Sequence, residues 1–183
     1  MDRLHEIGRA LASEQNLDRL LDLILEGARE LLGAEAGSIY LVVGEDDAKE
    51  LLFAHTQNAR LSLPYHRFRM PISPSSMAGF VASTGQVLNI EDVYAIPADA
   101  PYHFNVSFDR QAGYRTRSML VVPMQDREGG MLGVLQFINR VDRDADGRPC
   151  IVAFPAAEQA LAQSLAGQAG VAVRNAELRE EIE

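Results

Sequence analysis

The side chains with the greatest capacity for polar recognition lie between Phe104 and Arg140. This segment begins with a polar loop, FNVSFDRQAGYRTRS, and continues into two apolar runs at 119–124 and 131–138, which are separated by turn-forming residues. The pattern is typical of two antiparallel strands joined by a short loop. The loop is rich in polar hydrogen-bond donors and leads directly into this hairpin.

One polar residue interrupts the second apolar run. Gln136 shares a face of the predicted strand with Leu132, Val134 and Ile138, since alternate residues of a strand point to the same side. If this face is covered, the amide needs a hydrogen-bond partner within the protein. If the face is solvated at this point, water satisfies it. Both interpretations remain open at the level of sequence.

The sequence lacks the motifs of several kinds of catalytic or metal site. It has no P-loop, no nucleophile elbow and no paired-carboxylate motif. No metal-ligand spacing is found at the four histidines, His5, His55, His66 and His103. The acidic run at 142–147 lacks the closing Glu of an EF-hand, so we expect a solvated loop there. We therefore expect neither catalysis nor a bound metal ion.

Composition restricts the class of protein and of partner. A chain of 183 residues, 47% of them hydrophobic, suits one globular domain. The net charge of −9 disfavours nucleic acid and anionic membranes as partners. The lone Cys150 excludes an intrachain disulfide and suits a reducing compartment. With no membrane-length apolar run and no signal peptide, we expect a cytoplasmic location.

Helices are predicted at both ends of the chain, and they must position the residues between them. After Asn16, a predicted N-cap, apolar residues recur at helical spacing up to Gly33, a predicted C-terminal cap. A second stripe, rich in alanine, begins at Phe154 and extends to Ala176. The final AELREEIE has no helix stop signal, so we expect the helix to continue into a longer parent protein. The alternative is a solvated terminal helix that frays.

Between the helices the pattern predicts a sheet. Strands are expected at 37–43, 50–57, 68–70 and 87–90, and a small helix at 75–84. In the first strand, Ser38, Tyr40 and Val42 share one face and Ile39 and Leu41 share the other. The segment 91–112 has no clean period and is rich in aromatic residues, Phe104 among them, so we interpret it as a packed lid.

These segments together resemble a GAF domain, specifically those of cyclic-nucleotide phosphodiesterases and related cyclases. The resemblance is carried by AGSIYLVV, MAGFVASTGQVLNIEDVY, FDRQAGYRTRSMLVVPM and GVLQFINR, and it covers nearly the whole chain. It implies an α+β fold with a central antiparallel sheet, the terminal helices on one face and short helices plus the lid over a ligand pocket on the other. It also implies a regulatory role without chemistry of its own.

By this resemblance the ligand pocket falls on Ser38, Thr56, Gln57, Met77, Ala78, Gly79, Phe104, Asp109, Ala112, Thr116 and Gln136. Several of these positions depart from the nucleotide-binding members of the family. Thr56 and Gln57 stand where a stacking aromatic residue and an acid are found, Ala112 replaces a hydroxyl, and Gln136 replaces an acid. The resemblance therefore implies binding but does not name the ligand.

A second group of residues matches a scattered signature of the family. Asn139, Arg140, Phe154 and Glu158 occupy its places, and an Arg140 to Glu158 pair would clasp the last strand to the closing helix. Such a pair either stabilises the fold or contacts the ligand. Its position at the edge of the pocket favours the first interpretation.

The sequence thus predicts one GAF domain at 1–183, with N-terminal helices at 1–33, the sheet and ligand pocket at 36–140, and a C-terminal signalling helix at 154–183. We expect a sensor of a cyclic nucleotide or related purine, with no other cofactor. It would form a homodimer through its terminal helices and pass ligand occupancy to an output domain. The alternative is a dimerisation and signal-transmission module of the same fold that binds no ligand.

Overall fold

A computed structural model describes residues 2–61 and 67–182, so His66 lies outside the described residues. Along the chain the elements are α1 (Asp2–Ser13), α2 (Leu17–Leu32), β1 (Ala34–Val43), β2 (Glu50–Asn58), β3 (Arg69–Pro71), α3 (Met77–Thr84), β4 (Leu88–Ile90), α4 (Ser107–Ala112), β5 (Met119–Gln125), β6 (Met131–Arg143), β7 (Pro149–Val152) and α5 (Ala156–Ile182). Short 3-10 turns occur at Asp46–Ala48 and Val93–Ala95.

The caps of α2 are those that the sequence predicts. Asn16 is extended, and its side chain accepts a hydrogen bond from the backbone N–H of Arg19 at 3.0 Å. Gly33 has a φ of 68°, a left-handed conformation that glycine adopts without steric cost, and its N–H donates to the carbonyl of Arg29. The two caps fix where α2 begins and ends, and β1 follows directly after Gly33.

Within the described residues, seven strands form one antiparallel sheet in the order β3-β2-β1-β6-β5-β4, and β7 pairs with the far end of β6. β1 lies between β2 and β6, and β6 lies between β1 and β5. This arrangement places β1 and β6 at the centre, where both edges of each strand are paired and side chains are held firmly.

The two faces of the sheet carry separate hydrophobic clusters. On one face, α2 and α5 pack against a cluster that includes Ile39, Leu41, Leu135 and Phe137, and α1 packs on α2 and α5. On the other, α3 and residues of the lid pack against Val121 and Val134 with their neighbours. The predicted division between terminal helices on one face and short helices plus lid on the other is confirmed, as is the α+β class.

Two expectations need correction at the level of elements. The sequence pattern predicted no strand around Cys150, but this residue lies in β7, opposite Asp142 of β6. β6 extends to Arg143, so the acidic run begins inside this strand, and its residues 144–147 form the turn of the hairpin. The lid is also more regular than expected, because it contains a 3-10 turn and ends in α4. In the described part of the chain, no helix has the length and apolar character that spanning a bilayer requires.

Candidate functional site

Three polar side chains form a row across the sheet face that α3 covers. Ser38 of β1 is paired with Thr56 of β2 on one side and with Gln136 of β6 on the other. The hydroxyl oxygens of Ser38 and Thr56 are 3.1 Å apart, and Thr56 Oγ1 donates to the carbonyl of Gly37 at 3.2 Å. Ser38 is only 6% exposed. This polar row, formed by Thr56, Ser38 and Gln136, is the floor of the candidate site.

A β-bulge in β2 decides which side chains reach this floor. The register with β1 shifts in mid-strand and leaves Ala54 as the extra residue. An extra residue reverses the alternation of side chains beyond it. Counted by strict alternation from Leu51, which packs on the covered face, Gln57 would lie on the floor. Because of the bulge, Thr56 lies there instead.

The structure therefore corrects the prediction that Gln57 lines the ligand pocket. Its side chain lies on the opposite face of the sheet and bonds to α2. Gln57 Nε2 donates to the backbone carbonyl of Asp22 at 3.1 Å and to its carboxylate at 2.8 Å, and Gln57 Oε1 accepts from Arg29 at 2.8 Å. Gln57 is thus a contact between sheet and helix.

The amide of Gln136 has a partner inside the protein. It forms a hydrogen bond with Tyr40, whose phenol lies on the same face. Burial raises the pKa of Tyr40 to about 12, and the hydrogen bond with Gln136 opposes this rise in part. Gln136 is only half-buried, so its amide has Tyr40 as a neighbour and can also be reached by water.

Aromatic rings adjoin the polar row. The rings of Tyr40 and Phe53 have centroids 5.3 Å apart, and Phe53 stacks on Phe68 at 5.0 Å. Tyr40 follows Ser38 by two residues on the same face of β1, which corresponds to about 7 Å along the strand. A planar group of modest size could therefore contact the aromatic rings and the hydroxyls of the floor together.

The N-terminal part of α3 roofs the face. Met77 and Ala78 are 5% and 4% exposed and pack in the cluster that covers the sheet. The backbone N–H of Gly79 donates to the side chain of Ser76, the N-cap, at 3.0 Å. A Cβ at Gly79 would lie 2.0 Å from the carbonyl oxygen of Ser73. Gly79 therefore permits the close approach of helix and loop, and its N–H serves the cap.

The lid is fastened to its surroundings at several points. The backbone N–H of His103 donates to the carbonyl of Ser75 at 2.7 Å, which joins the middle of the lid to the loop before α3. Phe104 packs in the cluster over the sheet, and its ring meets that of Tyr94 at 5.5 Å. The guanidinium of Arg115 lies 3.8 Å from the centre of the Tyr94 ring.

Asp109, at 4% exposure, is the hydrogen-bonding centre of the lid. Its carboxylate accepts from the N–H and the hydroxyl of Thr116 at 2.9 and 2.8 Å, and from the hydroxyl of Tyr94 at 2.6 Å. The bond to Asp109 raises the pKa of Tyr94. Two predicted site residues, Asp109 and Thr116, are therefore in direct contact. Ala112 ends α4 and is partly exposed.

Behind Thr116 lies a second buried polar group. Asn139, 1% exposed and with a φ of 59°, donates to the hydroxyl of Tyr114 and the carbonyl of Arg115, both at 2.9 Å, and accepts from the N–H of Arg117 at 2.7 Å. Tyr114 donates in turn to the buried carboxylate of Glu35. Burial and the bond to Glu35 raise the pKa of Tyr114. Asn139 therefore fixes the backbone of the irregular segment 114–117, which leads into β5.

The predicted clasp residues meet near the C-terminal end of the central strand β6. Arg140 Nη2 lies 3.5 Å from the carboxylate of Glu158, and Arg140 Nη1 donates to the carbonyl of Leu32 at 2.7 Å. Phe154 is 3% exposed beside them. Arg140 thereby joins the C-terminal end of α2 to the first turn of α5, which is a structural role.

The sequence did not identify three residues that matter to the site. The sequence indicated that the lid is rich in aromatic residues, but it did not identify Tyr94 as the partner of Asp109, and it singled out neither Tyr40 nor Glu35. Their contacts join segments far apart in the chain, which spacing does not reveal. Among the described residues, no three His, Cys, Asp or Glu side chains come together in a way that could hold a metal ion.

The chain matches one known protein family. A model of the GAF domain matches residues 16–173. A cGMP-specific 3',5'-cyclic phosphodiesterase of Drosophila virilis is 35% identical over 144 residues, which are 75% of this chain and 16% of that protein. The dual 3',5'-cyclic-AMP and -GMP phosphodiesterase 11 of Drosophila melanogaster is 27% identical over 186 residues, or 97% of this chain and 12% of that protein. The chain thus spans less than a fifth of either relative.

Solved structures share the fold at lower identity. The GAF domain of a phosphoenolpyruvate-protein phosphotransferase from Coxiella burnetii superposes with a TM-score of 0.71 at 20% identity, covering 98% of this chain and 95% of that one. The free methionine-R-sulfoxide reductase of Neisseria meningitidis superposes with a TM-score of 0.69 at 21% identity, covering 96% and 89%. At these identities the likeness concerns the fold alone.

Proposed function

Because the chain belongs to the GAF domain family, we propose that it is a regulatory sensor domain that binds a cyclic nucleotide or a related purine. The observation that carries the proposal is the polar row of Thr56, Ser38 and Gln136 on a sheet face that is otherwise apolar and covered by α3. Polar groups on such a face add little to a core, but they can fix the orientation of a ligand.

The neighbourhood of the row supports a planar ligand. Tyr40 and Phe53 offer aromatic surface on the same side of the sheet, and aromatic contacts favour a flat heterocycle. The relatives that the chain matches are cyclic-nucleotide phosphodiesterases, of which it would form a regulatory part. Ligand occupancy would pass through the terminal helices to an output domain of a longer chain, and we place the domain in the cytoplasm.

Access to the floor requires movement. Ser38 is 6% exposed and Met77 is 5% exposed, so a ligand reaches them only if the lid or α3 shifts. The lid, 91–112, is the better candidate, because its polar attachment to the rest of the domain consists of a few separate hydrogen bonds, such as those of Asp109 with Thr116 and of His103 with Ser75.

A second function is favoured by a specific observation. Ser38 is bonded to Thr56, Gln136 to Tyr40, and Asp109 to Tyr94 and Thr116. Groups already satisfied in this way need no ligand. The rival is therefore a GAF-fold dimerisation and transmission module in which these contacts only stabilise the domain.

Titration calorimetry with cyclic AMP and cyclic GMP separates the two functions. We expect dissociation constants of about micromolar or weaker. The difference between the nucleotides should be less than about tenfold, because the Gln136 amide both donates and accepts. Ser38→Ala should weaken binding about tenfold through loss of a floor hydroxyl. Ser83→Ala, on the exposed side of α3, is the matched control and should bind normally.

Absence of binding by either nucleotide at millimolar concentration would favour the ligand-free module. Mass spectrometry of small molecules released from the denatured protein would then decide whether another ligand is carried. Equal binding by wild type and Ser38→Ala would instead place the ligand away from the polar row.

A further inference from the structure

The basic side chains of the domain lie away from the sheet face that carries the polar row. All 17 lysine and arginine residues fall within the described ranges 2–61 and 67–182, and apart from Arg29 and Arg140 they are exposed. Arg29 belongs to α2 and donates to Gln57 at 2.8 Å, and Arg140 donates to the carbonyl of Leu32 at the end of α2 at 2.7 Å. Both half-buried guanidinium groups are therefore engaged with α2, which packs on the face opposite the polar row.

The polar groups of the covered face and of the lid are neutral or negative. The floor consists of two hydroxyls and an amide, those of Thr56, Ser38 and Gln136. In the lid, the buried carboxylate of Asp109 accepts its three hydrogen bonds from neutral donors. A group that enters between floor and lid therefore meets hydrogen-bonding atoms, apolar surface and a negative charge in the lid, and none of the half-buried cations of the described chain.

This distribution of charge bears on the phosphate of a nucleotide. An anion that leaves water for a site of low polarity loses its hydration, and it recovers this loss only where the site supplies a cation or several free donors. The N-terminus of a helix can favour an anion, but the cap of α3 already uses the N–H of Gly79, which donates to Ser76 at 3.0 Å. The carboxylate of Asp109 and the net charge of −9 repel an anion further. The phosphate is therefore the part of a nucleotide that suits this site least.

We propose that the polar row selects an uncharged heterocycle, a nucleobase or a nucleoside, over the cyclic nucleotide that carries the same base. Such a heterocycle can exchange hydrogen bonds with the three groups of the row and place its flat surface against Tyr40. It brings no charge that must be compensated. A cationic ligand gains little, because Asp109 is already satisfied by its own donors. The inference rests on the proposed function and narrows its ligand class.

Titration calorimetry on the wild-type domain measures the effect of the charge directly. The probes are cyclic AMP, adenosine and the neutral methyl ester of cyclic AMP, whose phosphate is a triester, and the three corresponding guanine compounds. The ester keeps the base and the rings of the cyclic nucleotide and removes its charge. In at least one series, we expect the ester and the nucleoside to bind at least about tenfold more tightly than the cyclic nucleotide.

The outcomes separate this inference from the function on which it rests. If the cyclic nucleotides bind as tightly as their esters or more tightly, the inference is overturned and the sensor function stands. If none of the six compounds binds at millimolar concentration, the sensor function fails and the inference fails with it.

A cation placed in the floor should reverse the preference. In Gln136→Lys the ammonium group can pair with the phosphate, so the dissociation constant of the cyclic nucleotide, divided by that of its ester, should fall about tenfold or more relative to wild type. Should this variant not fold, Thr56→Lys places the cation at the other end of the row and has the same expected outcome. An unchanged ratio in a folded variant overturns the role that we assign to the floor.

Gln111→Lys is the matched control, because it adds the same charge at an exposed position of α4 in the lid. Its ratio of dissociation constants should stay within about twofold of the wild-type ratio, since an exposed charge is screened by solvent and salt. A fall as large as that in Gln136→Lys would show that the net charge of the domain, and not the floor, discriminates against the phosphate, and it would overturn the inference.

Discussion

Replacement of Asp109 by alanine should destabilise the domain strongly. The substitution removes the acceptor of three hydrogen bonds and leaves the N–H and hydroxyl of Thr116, a residue 1% exposed, without a partner. Each unsatisfied buried donor costs about 1–3 kcal/mol. Because water can enter part of the space left by the carboxylate, we expect a loss of about 3 kcal/mol in the free energy of unfolding.

The loss is measured by urea denaturation followed by far-ultraviolet circular dichroism. The midpoint should fall while the slope stays constant, since the surface exposed on unfolding is unchanged. In a chain of this size a loss of about 3 kcal/mol lowers the melting temperature by roughly 6–12 °C. Asp109→Asn keeps one acceptor and should lose only about half as much.

Asp99→Ala is the matched control, because Asp99 is an exposed aspartate of the same lid. It should change stability by less than about 0.5 kcal/mol. A loss below about 1 kcal/mol for Asp109→Ala would refute the reasoning, since the bonds to Thr116 would then be replaced by water without penalty. If Asp109→Ala loses this much stability, its effect on ligand binding cannot be separated from unfolding. Binding should then be measured on Asp109→Asn, under conditions where that variant is folded.

Three further predictions concern pH, assembly and the lid. Burial holds the pKa of Tyr40 at about 12, above its ordinary 10.0, so the unfolded chain ionises first and the free energy of unfolding falls by up to about 3 kcal/mol as the pH rises from about 10 to 12. In urea denaturation across this range, Tyr40→Phe should lose less stability than wild type, and equal losses would contradict the prediction. Light scattering should give a homodimer mass, because Leu178 and Ile182 are 40% and 85% exposed at helical spacing on α5; a monomer up to millimolar concentration would exclude it. A bound nucleotide should slow amide exchange in 91–112, and unchanged protection would show that this segment is packed structure only.

The sequence predicted the architecture because its signals are local. The caps Asn16 and Gly33 and the alternation of β1 depend on neighbouring residues, and each is found where expected. The identity of the polar row was predicted in part, since Ser38 and Gln136 lie on the alternation of their own strands. In these cases periodicity alone fixes the face on which a side chain lies.

The errors arise where one residue changes the periodicity or where contact is non-local. The bulge at Ala54 has no marker such as glycine, yet it moves Gln57 to the helix face and brings Thr56 to the floor. β7 is only four residues long, too short for a clear alternation in the sequence, and it is a strand because it pairs with the end of β6. The contact of Tyr114 with Glu35 joins residues 79 positions apart, which no local pattern can indicate.

The internal bonding of the site bears on how a sensor of this kind would work. A ligand that reached the polar row would replace existing contacts of Ser38 or Gln136 and would not satisfy unpaired groups. Exchange of one hydrogen bond for another contributes little net free energy, so affinity would come mainly from apolar and aromatic contact and would be modest. The displaced partners, Thr56 and Tyr40, would then lose their own bonds, and the lid would have to move to admit the ligand, because Ser38 is only 6% exposed. Modest affinity and a change in the lid therefore follow from the same structural feature, which is the behaviour required of a reversible sensor.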